Sequence, residues 1–261
     1  MPRGIAVVLT ALLAVAGCGS SGEEPAWCTL RGTTYTFEAE QTASAATIAA
    51  VGRALSVPER GVTIALATAL QESRLRNLPY GDRDSQGLFQ QRPSQGWGTP
   101  EQVTDPRYAA TAFYEALLEL PDWEQLRLTD AAQAVQRSAF PEAYQQWEDE
   151  AQALATVLGG QVAGLSCTAP GAAPVLPRDQ RLTALVALAE ADLSAVLLTT
   201  TDSIVHWAAG DQPWILPTWL VAHSELLGVA AVAHDGQRWT PDSGWTTDPT
   251  VRADEVLGLL S

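Results

Sequence analysis

The sequence predicts a mainly α helical region followed by a small α+β region. Three observations predict it. Apolar residues recur at helical spacing, between helix-start and helix-stop signals, from about position 56 to 160. The run Thr168-Ala169-Pro170-Gly171-Ala172-Ala173-Pro174-Val175-Leu176-Pro177 then discourages helix and strand pairing alike. Beyond it the period changes, and apolar runs of strand length alternate with two helical stretches.

The chain opens as an export signal. Arg3 is the lone charge of a short n-region, and the apolar run Ile5 to Ala16 is too short to span a bilayer as a mature helix. It ends Leu13-Ala14-Val15-Ala16-Gly17-Cys18, which resembles the lipobox of bacterial lipoproteins. That resemblance implies a signal peptide over 1–18 and a diacylglyceryl group on Cys18. The acyl chains would fix the protein to the membrane, because two or more give stable anchoring. Residues 19–40, beginning Gly19-Ser20-Ser21-Gly22-Glu23-Glu24-Pro25, read as a tether and N-terminal segment. The protein is expected at the extracytoplasmic face of a bacterial membrane, held by lipid. Leu182 to Leu198 is the nearest later approach to a membrane span, and Glu190 and Asp192 interrupt it.

Two further cysteines, Cys28 and Cys167, bracket the helical region, which is placed at 41–167. Export favours oxidation, so they are expected to pair; two buried thiols are the alternative. Closing so long a loop restricts the unfolded chain by roughly 4–5 kcal/mol on the entropic account.

Ser56-Val57-Pro58-Glu59 carries a capping-box signature, and the helix after it places Val62, Leu66, Ala69 and Leu70 on one side as far as about Arg76. Asp105-Pro106 starts another helix, with Tyr108, Ala112, Phe113, Ala116 and Leu117 at helical spacing. Thr129 caps a short helix to Ser138, and Pro141 opens one closed by Gly159-Gly160. After the linker at 168–177, residues 178–261 read as the small α+β region. It holds helices over 179–191 and 214–227, with strands over 195–200, 203–207, 229–234 and 238–240. Asp235-Gly236 marks a hairpin turn between the last two strands.

Chemistry concentrates in Ala69-Leu70-Gln71-Glu72-Ser73 and Gly81-Asp82-Arg83-Asp84-Ser85-Gln86-Gly87-Leu88-Phe89-Gln90-Gln91. One carboxylic acid ends an apolar helix, and a turn with a Gly-Leu-Phe-Gln segment follows that could fold back on it. Glycosidic bond cleavage needs such an acid, its proton held by partial burial beside a wall that holds the sugar. The pattern resembles the lysozyme-like superfamily, in its soluble lytic transglycosylase and goose-type lysozyme branch. There a Glu-Ser pair precedes a Gly-Leu-Met-Gln-like segment; here Phe89 replaces the Met. The resemblance covers about residues 45–150. It implies a lysozyme-like helical domain that binds peptidoglycan glycan strands. Glu72 would protonate the β-1,4 oxygen between N-acetylmuramic acid and N-acetylglucosamine.

Around that acid, Ser73, Asp82, Gly87, Gln90, Gln91 and Trp97 are the candidate substrate contacts. Gly87 would let backbone approach sugar closely, the glutamines suit hydroxyl and acetamido groups, and Trp97 could stack on a ring. Each also has a plain structural reading. An inverting hydrolase would use Asp82 or Asp84 to activate water, although Asp is common in turns for local reasons. A lytic transglycosylase needs no such base. Transglycosylases of the branch carry a later Ala-Tyr-Asn-Ala-Gly motif. This chain has Ala134-Val135-Gln136-Arg137-Ser138-Ala139-Phe140-Pro141-Glu142-Ala143-Tyr144 there, so Gln136 or Tyr144 is left for the Tyr role. The departure keeps open an inactive glycan-binding or scaffold lipoprotein.

The formal charge is −15, and no residue is Lys. That argues against a nucleic-acid partner. His206, His223 and His234 match no compact metal motif, and phosphate loops and nucleophile elbows are absent, so no cofactor or metal is expected. The tryptophan-rich stretch Trp219 to Trp245 looks like a C-terminal module of secreted actinobacterial cell-wall proteins. A protein partner is one use open to it.

Overall fold

The computed structural model describes residues 26–168 and 176–261. The lipobox, Cys18 and most of the linker lie outside the described residues.

Strand β1 (Trp27–Leu30) lies between β2 (Thr36–Glu38) and β3 (Leu165–Cys167) in an antiparallel three-stranded sheet. Cys28 and Cys167 face each other across β1 and β3 and form the expected disulfide. Helix α1 (Ala39–Ala54) starts in a capping box in which Gln41 Oε1 accepts from the Glu38 amide at 2.8 Å. It buries a small-residue face, Ala45, Ala46, Ala49 and Ala50, so neighbours approach closely.

Helix α2 (Glu59–Ser73) is the spine of this region, with every residue from Gly61 to Leu70 buried. Helix α3 (Pro100–Val103) is a single turn, and α4 (Pro106–Leu118) begins at Asp105, whose carboxylate accepts from the Arg107 and Tyr108 amides. Helices α5 (Leu128–Gln136) and α6 (Glu148–Leu158) pack on α2. Between them the chain makes a turn and a short 3₁₀ segment, Gln145–Trp147.

Helix α7 (Arg178–Leu193) leads to a six-stranded antiparallel sheet in the order β4-β5-β9-β6-β7-β8. Its strands are β4 (Leu197–Thr200), β5 (Ile204–Ala208), β6 (Val229–His234), β7 (Gln237–Thr240), β8 (Gly244–Thr247) and β9 (Glu255–Leu260). Helices α8 (Ile215–Ala222) and α9 (Ser224–Leu227) connect β5 to β6. The Asp235-Gly236 turn forms as read, both residues at positive φ, which is the geometry that Asp-Gly favours in a two-residue hairpin.

The expected fold class is corrected. The chain is a mixed fold: among the described residues nine helices combine with two antiparallel sheets. One of those sheets takes β1 and β2 from the segment read as a tether and β3 from the end of the region read as helical. Its strands are three or four residues long, and β1 pairs with β3 across the whole helical region, so they leave no local period to read. In the second sheet, β9 enters between β5 and β6, and neither it nor β8 was anticipated as a strand. The capping box at Ser56 does not form: Ser56 itself adopts positive φ, and Pro58 is the N-cap of α2. Thr129 does not cap α5; its hydroxyl instead donates to the Pro141 carbonyl, and Arg127 is the N-cap. His223 interrupts the helix expected over 214–227.

Side chains join the two regions. Helix α1 packs on α7 and α8, and β3 packs on α8. Arg107 meets Asp192 at 2.6 Å, and Arg53 meets Gln212 at 2.7 Å. One cluster of buried apolar residues includes Ile64 and Phe113 on one side and Trp207 and Trp219 on the other. Among the described residues no helix is long and apolar enough to cross a membrane.

Candidate active site

Helix α2 ends at Ser73, short of the expected Arg76, because Arg74 and Leu75 both take left-handed backbone (φ 57° and 59°). Two consecutive non-glycine residues there carry strain. The complete burial of Leu75 offsets it, as does a 2.8 Å hydrogen bond from Gln41 Nε2 to the Arg74 carbonyl. The sharp stop leaves Glu72 at the rim of the helical core.

The next segment folds back on that helix end, as expected. Gly87 N donates to the Leu78 carbonyl at 2.7 Å, and Gln86 bridges Gln91. Ser73 Oγ donates to the Leu88 carbonyl at 2.7 Å, tying the acid's neighbour to the Gly-Leu-Phe-Gln turn. Ser73 is thus a buried structural link.

Glu72 receives donors from the far side of the fold. Tyr144 Oη donates to Oε1 at 2.6 Å. Gln136 Nε2 donates to the same oxygen at 3.2 Å and to the Phe89 carbonyl at 2.8 Å, so it locks carboxyl to turn. Oε2 has no protein partner among the described residues and keeps accessible surface. Burial raises the Glu72 pKa, and the two donors lower it in part. Burial and the neighbouring Glu72 charge also push the Tyr144 phenol above its ordinary range, so it stays a neutral donor.

Gln71 went unnoticed in the sequence. Its Oε1 accepts from Trp147 Nε1 at 2.8 Å and Gln146 Nε2 at 3.1 Å, and the Arg74 guanidinium lies over the Trp147 ring at 4.1 Å. These contacts from the end of α2 hold the 3₁₀ segment that Tyr144 caps. The signal available was the run Gln71-Glu72-Ser73-Arg74, four polar residues ending a buried helix.

Other candidates lie elsewhere. Asp82 is 91% exposed at its side chain and meets only Arg83, at 3.9 Å. Asp84 spends both oxygens on Arg92 and Ser94, which hold it well below the usual carboxylate range. Gln91 is buried and donates to the Ala109 carbonyl at 3.0 Å, so it is part of the core. Gly87, at φ 79°, serves close packing: a Cβ there would sit 2.0 Å from the Val103 carbonyl oxygen. Gln90 is half-buried and donates to the Gly87 and Tyr80 carbonyls at 3.2 and 3.3 Å. Trp97 packs half-buried on the core.

Among the described residues no group of three His, Cys, Asp or Glu side chains is placed to hold a metal ion. The chain matches no known family, and a search of characterised proteins finds no match either.

Proposed function

We propose that this protein binds peptidoglycan glycan strands and cleaves the β-1,4 bond between N-acetylmuramic acid and N-acetylglucosamine. In this reading Glu72 is the general acid and Cys18 the lipid anchor at the outer face of the membrane. The observation that carries the proposal is the unequal treatment of the two Glu72 oxygens. Oε1 is pinned by Tyr144 and Gln136, while Oε2 is left with no protein partner. Burial raises the pKa of this carboxyl, which favours the protonated form a general acid needs. Oε2 is where that proton can be delivered.

The proton passes from Oε2 to the glycosidic oxygen as the bond from that oxygen to the anomeric carbon breaks. The oxocarbenium-like centre then needs an electron pair. No carboxylate is hydrogen-bonded into the Glu72 cluster among the described residues, since Asp84 is committed to Arg92 and Ser94 and Asp82 is exposed. This favours transglycosylase chemistry over an inverting hydrolase. The substrate's own acetamido oxygen attacks first. The C6 hydroxyl then displaces it, giving its proton to the Glu72 carboxylate, and a 1,6-anhydro end forms.

Mass spectrometry of purified glycan digested by the protein tests the reading. Anhydro ends lost in Glu72→Gln are expected. Reducing ends would replace the transglycosylase step by water attack. Undigested strands that still bind would leave a glycan-binding scaffold, and strands neither bound nor cut would remove both.

A further inference from the structure

The two sheets face each other across an open cleft of about 750 Å³, a size ordinary for a small-ligand site. One wall is the outer face of the three-stranded sheet, where Thr29 pairs with Ser166 opposite the buried Cys28–Cys167 side. The other wall comes from β7 and β8, where Gln237 pairs with Thr247 and where Trp245 also lines the cleft, next to the buried Trp239 with which it pairs. Two indoles tie β7 and β8 to β3. Trp239 Nε1 donates to Ser166 Oγ at 3.2 Å, and Trp245 Nε1 to the Leu165 carbonyl at 2.7 Å. Arg31 and Asp235 also line the cleft.

Arg31 is unusual in this chain. Among the described residues every arginine except Arg31 and Arg137 has an acidic partner, a hydrogen bond or an aromatic ring for its guanidinium. An uncommitted guanidinium in a protein of charge −15 is a ready carboxylate receptor. Asp235, exposed at the Asp235-Gly236 turn, also has no ion pair among the described residues. Thr29, Ser166, Gln237 and Thr247 in the same lining carry hydroxyl and amide groups that can donate and accept, as an amide backbone requires.

We infer that this cleft binds a short extended peptide carrying a free carboxylate and a free ammonium group, the carboxylate on Arg31 and the ammonium on Asp235. An uncharged glycan would leave both charges unused. The inference does not depend on Glu72 or on wall cleavage.

NMR of the indole N–H signals tests it, with Trp214 and Trp245 assigned through their Phe variants, because both rings line the cleft. Tetra-alanine is the probe. Saturable shifts of those two signals are expected, with affinity about tenfold weaker in Arg31→Gln or when both peptide ends are blocked, the loss typical of one charge-assisted contact. Arg31 is exposed in the turn just after β1, so its replacement leaves the fold intact. Equal affinity for blocked and free peptide would overturn the assignment. So would shifts produced by chitotetraose and not by the peptide, or no shift with either.

Discussion

Glu72 and Asp192 are both carboxylates near a helix end, and their surroundings make opposite uses of them. Asp192 has a side chain only 1% exposed, and both oxygens are spent: Arg107 Nε lies 2.6 Å from Oδ1, and Trp219 Nε1 2.9 Å from Oδ2. It clamps α7 to α4 and α8. Glu72 meets no cation, has neutral donors on one oxygen only, and is raised in pKa by its burial. The difference teaches what turns a buried acid into a reagent. A cationic partner would fix the charge and lower the pKa, and full satisfaction would leave nothing to offer. Only Glu72 has an oxygen to spare.

If that contrast holds, removing the proton donor should affect activity and spare the fold. Glu72→Gln is expected to lower glycan cleavage about 10³-fold, the scale of a lost general acid. Release of soluble fragments from purified walls measures it, with circular dichroism as the control. Asp192→Ala should do the reverse. It strands the Arg107 guanidinium and the Trp219 N–H, and costs about 3 kcal/mol of stability, as breaking a buried pair does. Urea unfolding reads that loss, while cleavage by the folded fraction stays near the wild-type rate. A stable Asp192→Ala protein would break the comparison.

Tyr144→Phe sharpens it from the other side. The phenol's hydrogen bond lowers the Glu72 pKa against the larger effect of burial, so removing it raises that pKa. The alkaline limb of the pH–rate profile is expected to move to higher pH, with cleavage at the optimum reduced about tenfold because the carboxyl is less firmly oriented. An unmoved limb would show that another group sets it.

The legible parts of this site were those written in one stretch of chain. Glu72, Ser73 and the Gly87–Gln90 turn lie within twenty positions, and their fold-back follows from a helix stop and a glycine turn. Gln136 and Tyr144 were reachable only through the resemblance. Nothing local in the sequence says that a residue on α5 and one on the next turn converge on a carboxylate of α2. Gln91 and Asp82 misled for one reason: residue type tells what a side chain can bond, but not which way it points. Gln91 turned inward to the Ala109 carbonyl, and Asp82 outward to solvent. The same holds for the sheets. The alternation of β9, with Val256 and Leu260 buried, is plain once seen, yet its place between β5 and β6 depends on partners about fifty and twenty-five residues earlier.

The smallest effect concerns the pH dependence of stability, where the two clusters should act with opposite sign. Glu72 has a raised pKa in the fold, so the folded state holds its proton more tightly than the unfolded chain does. Stability from this group is full below the ordinary carboxylate pKa and is lost as pH rises through the folded value. Beside Asp192 lies His223, stacked on Trp219 at 4.0 Å between ring centroids. Burial lowers its pKa to about 4, against the raising influence of Asp192. The unfolded chain therefore takes up the proton first, and stability is lost as pH falls from the ordinary histidine value of about 6.5 toward 4. Thermal unfolding from pH 4 to 8 separates the two. Glu72→Gln should leave the acid side unchanged and gain on wild type as pH rises. His223→Gln, whose amide can still donate to the Trp219 carbonyl, should flatten the acid side alone. If both variants altered the same limb, Glu72 and His223 would belong to one coupled network, and the division between a reagent cluster and a clamp cluster would fail.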